Sequence, residues 1–394
     1  MPTSEDTKRP VTLLVVDDEP DLELLVRQKF RKQIRSDEFR FVFAHNGADA
    51  LEKLHAQPEI DLVLTDINMP VMDGLTLLVK LNELDRLLKA VIVSAYGDME
   101  NIRTAMNRGA ADFVTKPIDF QDLEITVTKT LRQLRDLKLA MREHDQLLSI
   151  RRELDIAATI QQSILPQTFP PFPDRRDFDI FAEMIPAREV GGDFYDFFLI
   201  DAHRLGFVIG DVSGKGVPAA LFMAVSRTLL KSTALQGVAP GECLQSVNSS
   251  LCLDNSAEMF VTVLYGVLHT DTGVVEYANG GHNPPYVLRR DGRVEPLAGT
   301  GGVVLGALPD LRYASKTATL APGDGIFLYT DGVTEAMDGR DALYGDQRLE
   351  SLLAQVGTSA PAPVIRAVAD DVKRYADGVA QSDDITTLAV QYRG

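Results

Sequence analysis

HRLGFVIGDVSGKGVPAALFMAVSRTLLKSTAL, residues 203–235, decides the architecture of the larger part of the chain. It opens as an apolar, strand-like run and ends that run on Asp211, with Gly210, Gly214 and Gly216 around it. It then continues into a long helical run from Val217, and a second helical run, PGECLQSVNSSLCLDN, covers 240–255. On either side the pattern is different. DFDIFAEMIPA (177–187) and GGDFYDFFLI (191–200) precede it, and a long apolar stretch from Met259 to Leu297 follows, broken by TDTG and RRDGR. Those two breaks are hairpin signals. Antiparallel β runs interrupted by a helix pair predict an α+β domain with stacked sheets flanked by helices.

Working outward, the same half carries three more acidic signatures: VGGDFYD (190–196), TDG (330–332) and SDDIT (382–386). Each places an Asp after apolar residues and beside small ones, as at a strand end. Hard divalent cations prefer carboxylate oxygens, and carboxylates at strand ends can converge on one point. The set, in this order, resembles the metal-dependent serine/threonine phosphatases of the PPM type, in their SpoIIE/RsbU-like branch. That resemblance implies a β-sandwich between helical layers and two Mn²⁺ or Mg²⁺ ions in a cleft at one end. It implies that Asp211 bridges the ions, that the Val212 carbonyl completes one, that Asp331 and Asp383 hold the other, and that Asp193 reaches a metal directly or through water. Asp384 stands where an Asn is often found beside the last ligand, leaving the choice between Asp383 and Asp384 open, with Asp383 favoured. Arg188 stands where the family can place a phosphate-gripping arginine, and a surface salt bridge is the competing reading. His282, in GGHNPP, is read as ordering a turn, because imidazole is not the preferred partner of Mg²⁺.

The first 125 residues alternate apolar strand-like runs with amphipathic helical ones: VTLLVVDD (11–18) then 20–34, FRFVFAH then NGADALEKLHAQ, DLVLTD then GLTLLVKLNELD, KAVIVSA then DMENIRTAMNRG, and DFVTKP then QDLEITVTKTL. Five such repeats predict a doubly wound parallel α/β sheet, whose reactive groups collect at the carboxyl ends of the strands. The polar residues there are Asp17, Asp18, Asp66, Ser94 and Lys116. Carboxylates gathered at one edge repel one another unless a divalent cation neutralises them.

This constellation resembles the CheY-like receiver domain of two-component response regulators. The resemblance implies that Asp66 is the phosphoacceptor and that Mg²⁺ is held by Asp17, Asp18, Asp66 and the backbone carbonyl of Asn68. It implies that Lys116 and Ser94 contact the phosphoryl oxygens. Phe113 stands at the position of the family's switch aromatic, with plain core as the other reading. Pro70, Asp73 and Gly74 complete the loop after the phosphoacceptor.

Between the two halves, Leu123 to Leu165 contains neither Gly nor Pro, and apolar residues from Val127 through Leu134, Met141 and Leu147 to Ile160 recur at three- and four-residue steps. One long helix or two abutting helices are predicted, with a stripe suited to pairing with a second copy of the chain or, as the other reading, to packing on the chain's own domains. ELDIAATIQQSILPQ (153–167) resembles the helix that precedes the catalytic domain of RsbU-like phosphatases, and PQTFPPFPDR then breaks the helix. The expected organisation is a receiver domain over 1–122, a helical linker over 123–170 and a phosphatase domain over 171–394.

Composition narrows the partners. A net charge of −17 argues against a DNA-binding surface, which needs clustered Lys and Arg. No run approaches the length of a membrane span, and MPTSEDTKRP has no apolar core, so neither a span nor a signal peptide is expected. Cys243 and Cys252 fall on opposite faces of one helix, which fits unpaired thiols and a reducing cytoplasm.

The leading expectation is therefore a response regulator whose phosphorylation at Asp66 controls dephosphorylation of a phosphoserine or phosphothreonine protein. The resemblance implies a cognate sensor histidine kinase upstream, a phosphorylated STAS-type anti-sigma-factor antagonist as substrate, and a sigma factor beyond it. The alternative is a non-enzymatic adaptor of the RssB type, which binds a stress sigma factor and delivers it for proteolysis. In those adaptors the phosphatase-like domain has lost metal ligands, whereas all the acidic positions are present here.

Overall fold

The computed structural model describes residues 9–253, 255–357 and 360–394; the expected start of the first domain and Asp254 in the second helical run lie outside the described residues. Two compact units divide at Ser149/Ile150.

The first unit is the predicted alternation: β1 (Val11–Val16), α1 (Pro20–Lys29), α2 (Arg31–Arg35), β2 (Phe39–Ala44), α3 (Gly47–Ala56), β3 (Ile60–Asp66), α4 (Gly74–Asn82), β4 (Lys89–Ala95), α5 (Met99–Asn107) and β5 (Asp112–Lys116). The five strands are all parallel, in the order β2-β1-β3-β4-β5. Both faces are covered. Leu14, Val63 and Ile92 pack on one side with Leu77 and Leu78, while Leu13, Leu62 and Val91 pack on the other with Val26 and Leu123. This two-sided burial explains why the strands read as continuous apolar runs. The helix expected over 20–34 is in fact two, because Phe30 leaves helical geometry and buries its ring against Phe39 and Phe41, at centroid distances of 6.0 and 5.3 Å.

The connecting segment is one helix, α6 (Phe120–Ile164), which includes the helical run expected from Gln121. The Asp119 side chain accepts from Gln121 N–H at 2.8 Å and starts it, which is ordinary N-capping chemistry. Its apolar stripe is not uniform. Val127, Leu131 and Leu134 are buried in the first unit, so only the part from Leu137 and Met141 through Leu147, Ile150, Ile156 and Ile160 is exposed. Among the described residues, no helix is long and apolar enough to cross a membrane.

The second unit runs through β6 (Phe178–Ile185), β7 (Phe194–Leu199), β8 (Arg204–Val212), α7 (Val217–Ala234), α8 (Pro240–Cys252), β9 (Val261–His269), β10 (Val274–Gly280), β11 (Tyr286–Leu288), β12 (Val294–Pro296), β13 (Lys316–Thr319), β14 (Gly325–Tyr329), α9 (Asp331–Thr334), α10 (Asp346–Val356), α11 (Pro361–Ala376) and β15 (Ile385–Tyr392). Its two five-stranded sheets have the orders β13-β10-β9-β8-β7 and β12-β11-β14-β15-β6, with every pairing antiparallel. The TDTG and RRDGR segments are the turns of the β9–β10 and β11–β12 hairpins.

Strand alternation builds the layers. Along β14, Ile326 and Leu328 enter the inter-sheet core with Leu388 and Val390 of β15. Phe327 and Tyr329 face the other way, onto Leu353 of α10 and Ile365 and Val368 of α11. Met223 and Leu230 of α7 and Leu244 and Val247 of α8 join the core of the first sheet. Each such side chain contributes about 1.5–3 kcal/mol on burial. Both cysteines are free, Cys243 buried and Cys252 half-buried.

Candidate active site

In the first unit the strand ends meet as expected. Lys116 Nζ lies 2.8 Å from Asp66 Oδ2, 3.0 Å from Asp17 Oδ2 and 3.2 Å from Glu19 Oε1. Oxygens of Asp17, Glu19 and Asp66 lie within 4.8 Å of one another, the one acidic trio this close among the described residues. Asp18 is exposed outside the trio, and Glu19, which is not in the set expected from the sequence, belongs to it. Burial raises the Asp17 carboxyl, and the Asp66 charge adds to that. Lys116 is also penalised by burial, yet its bonds to Asp66 and Asp17 hold it well above the usual lysine range.

Ser94, one position past the Asp66↔Val93 pair, is 1% exposed and its hydroxyl has no partner among the described residues. An all-oxygen trio with one ammonium and an orphaned buried hydroxyl fits a Mg²⁺ ion and a phosphoryl group. Asn68 is exposed on the following loop, and Phe113 is half-buried against the core on one face of the sheet. Asp73 caps α4 by accepting from Thr76 N–H at 2.6 Å.

In the second unit the strand register brings the four acids to one end of the sandwich. Phe194 pairs with Gly210, so Asp193 and Asp211 sit just beyond that rung. Tyr329 pairs with Thr387, so Asp331 and Asp383 flank the neighbouring end of the other sheet. Asp193 is 2% exposed, and its Oδ2 accepts from the Thr330 hydroxyl at 2.7 Å. Burial raises its carboxyl well above the usual range, reinforced by the charges of Asp211 and Asp384. Asp211 is pushed up to about 7, first by burial and then by Asp331. Asp331 is raised by burial, Glu335 and Asp383.

Lys215 supplies countercharge from the GDVSGKG loop, with Nζ 2.8 Å from Asp383 Oδ2. A group of oxygen donors whose negative charge is only partly compensated matches the donor chemistry of Mn²⁺ or Mg²⁺. Arg188 is exposed and makes neither a hydrogen bond nor an ion pair among the described residues.

The neighbouring acids Asp383 and Asp384 have different work. Asp384 is 7% exposed, and its oxygens accept from the N–H groups of Ala187 at 2.8 Å, Gly192 at 2.7 Å and Asp193 at 3.4 Å. Its carboxylate is thereby committed to the backbone that presents Asp193. Asp383 is left to face Asp211 and Asp331. Asp384→Ala orphans these N–H groups and is expected to cost roughly 3 kcal/mol or more. That corresponds to a fall of roughly 6–12 °C in the melting midpoint of this unit. Asp384→Asn, which keeps one acceptor oxygen, should fall less, and thermal unfolding of the two variants side by side checks the order.

His282 is buried and neutral, its pKa lowered to about 4 by burial. Its Nε2 faces the Tyr329 carbonyl at 3.1 Å and must donate there, so Nδ1 accepts from the Thr262 hydroxyl at 2.9 Å. Its backbone N–H and C=O close a turn with the Asn279 side chain at 2.7 and 2.8 Å. It orders the chain between the two sheets, as the sequence suggested.

The raised Asp211 value has a direction that can be measured. A carboxyl whose folded pKa lies above its unfolded one contributes stability at low pH, which is lost as pH rises from about 4 to about 7. In EDTA, Asp211→Asn should therefore melt a few degrees above wild type at pH 8 and close to it at pH 4. Scanning calorimetry at both pH values is the check.

Comparison with known proteins agrees with this geometry. The family model for stage II sporulation protein E (SpoIIE) matches residues 201–393, and the response regulator receiver domain model matches 13–128. Over 258 residues the chain is 30% identical to the phosphoserine phosphatase RsbU of Bacillus subtilis, covering 64% of this chain and 75% of RsbU. The chain belongs to the SpoIIE/RsbU family of PPM-type phosphatases. It joins that family's catalytic unit to a response regulator receiver.

Another relative, protein IcfG of Synechocystis sp., is 34% identical over 269 residues, which cover 61% of this chain and 41% of IcfG. The chain thus spans less than half the length of that relative. The PP2C domain of SiaA from Pseudomonas aeruginosa superposes with a TM-score of 0.56 at 24% identity, covering 63% of this chain and 98% of that domain. That likeness concerns the fold.

Proposed function

We propose that this phosphatase is a response regulator in which the receiver, phosphorylated at Asp66, controls metal-dependent hydrolysis of a phosphoserine or phosphothreonine in a partner protein. The observation that carries the reading is the arrival of Asp193, Asp211, Asp331 and Asp383 at one end of the sandwich from four separate segments. Asp193, Asp211, Asp331 and Asp383, with the Val212 carbonyl, would hold two Mn²⁺ or Mg²⁺ ions. Bound there, the ions would supply Lewis-acid neutralisation of phosphoryl oxygens and a water of lowered pKa. The chain's own residues hold the acids apart and in place: Asp384 fixes the Asp193 loop, Thr330 orients the Asp193 carboxylate, and Lys215 balances Asp383. Arg188 is exposed near this end and is available for a phosphate.

The organisation proposed is a receiver over 1–122, a helical connector over 123–170 and the catalytic domain over 171–394, with Asp17, Asp18, Asp66 and the Asn68 carbonyl holding Mg²⁺ and Lys116 and Ser94 contacting the phosphoryl oxygens in the receiver. A sensor histidine kinase upstream and a STAS-type anti-sigma-factor antagonist as substrate follow from the resemblance to the RsbU branch. The exposed apolar residues of α6 from Met141 to Ile160 support a homodimer through the connector. Retention of every acidic position favours the enzyme over the adaptor.

The test is phosphate release from phosphorylated antagonist proteins in Mn²⁺, with and without acyl phosphate. Release that stops in EDTA and changes with acyl phosphate is expected. Absence of release under every metal condition would leave the adaptor reading in its place.

A further inference from the structure

The loop from Ala187 to Asp193 forms neither helix nor strand, yet it delivers the most deeply buried of the four acids. Asp384 holds it from one side. From the other it is held by Gln161, on the last turn of α6 and 7% exposed. The Gln161 amide donates from Nε2 to the Gly191 carbonyl at 2.6 Å and accepts at Oε1 from the Gly191 N–H at 3.0 Å. Both polar functions of one side chain thus close on both backbone groups of one residue, much as a sheet rung would. Gly191 is wedged between the two clamps, and a Cβ there would lie 2.4 Å from Asp384 Oδ2. Two residues later comes Asp193.

We infer that Gln161 is a positioning residue of the phosphatase centre: its amide sets the path of the 187–193 loop and so the presentation of Asp193 to a divalent cation. The inference rests on the metal-site reading above. Groups that orient a ligand without touching the metal typically govern its affinity by 10–100-fold. A side chain that only tied the helix end to the sheet would leave the affinity unchanged. Such a tie lies nearby for comparison, where the Tyr195 hydroxyl donates to the Pro166 carbonyl at 2.8 Å.

The experiment uses the full chain and follows deuterium uptake of the peptide covering residues 187–196 as Mn²⁺ is raised, a readout local to this loop. Gln161→Leu keeps the bulk of the side chain and removes both bonds. Gln161→Glu keeps the acceptor and sets a carboxylate against the Gly191 carbonyl. Both should need roughly tenfold or more Mn²⁺ for half-protection, while Tyr195→Phe stays within about twofold of wild type. A wild-type midpoint in both Gln161 variants overturns the inference, as does an equal shift in Tyr195→Phe. Loss of fold in both Gln161 variants in EDTA also overturns it, since the role is then structural. If the wild-type loop gains no protection from Mn²⁺, it is the metal reading that fails.

Discussion

Asp211→Ala should lower Mn²⁺-dependent phosphate release on the order of 10³-fold, and Asp331→Ala should do the same, while both proteins remain folded. Stabilising transition-state charge with a bound ion is worth several kcal/mol, and each 1.36 kcal/mol is a factor of ten. Asp211 faces Asp193, Asp331 and Asp383 together, so its removal unbalances the whole group. Stability should not fall in parallel. In the absence of metal the ionised Asp211 is held against neighbouring carboxylates, and deleting it relieves repulsion. Loss of turnover with an undiminished melting midpoint in EDTA is therefore the signature. Turnover within tenfold of wild type in either variant would remove these acids from the chemistry. The measurement is initial phosphate release under saturating Mn²⁺, paired with calorimetry on the same samples.

The second large effect concerns the receiver. Wild-type chain in Mg²⁺ should take up close to one phosphoryl group from acetyl phosphate, and Asp66→Asn should take up none. A carboxylate oxygen can attack phosphorus, and an amide in its place is not a competent nucleophile. The surroundings are already arranged for the product: Lys116 lies 2.8 Å from Asp66 Oδ2, and the Ser94 hydroxyl is buried without a partner among the described residues. Intact-mass spectrometry reads the added phosphoryl group directly. An unchanged adduct in Asp66→Asn would place the acceptor elsewhere.

Much of this was legible in the sequence because the relevant signals are periodic or punctuated. Apolar runs ending in acids located β1, β3 and β8, and Gly-containing breaks located the hairpins, since these depend on local backbone chemistry. Asp66, Lys116 and Asp211 are found where strand-end reasoning puts them. Residues acting through long-range hydrogen bonds were not legible in the same way. Gln161 reads as one more polar residue of a long helix, and only the return of the chain at Gly191 gives its amide a purpose. Asp384 could not be told from Asp383 by type or spacing, because what separates them is which carboxylate meets the N–H groups of residues 187–193. Glu19 carries a weaker signal than the adjacent Asp17 and Asp18 pair, namely its place two residues after Asp17. Periodicity shows that α6 has an apolar face without saying what covers it, and Leu134 is buried in the first unit.

The packing around Asp384 has a consequence for how this sequence tolerates change. A Cβ on Gly332 would lie 2.0 Å from the Asp384 carbonyl oxygen, and one on Gly191 would strike the Asp384 carboxylate. Neither glycine carries a functional group, yet each allows the closest approach of the backbone that places an acid. In a library of all single substitutions, even alanine at these two positions should be rejected about as firmly as replacement of the aspartates. A survey of tolerated diversity would then outline the catalytic end by its hydrogen-only side chains as clearly as by its charges.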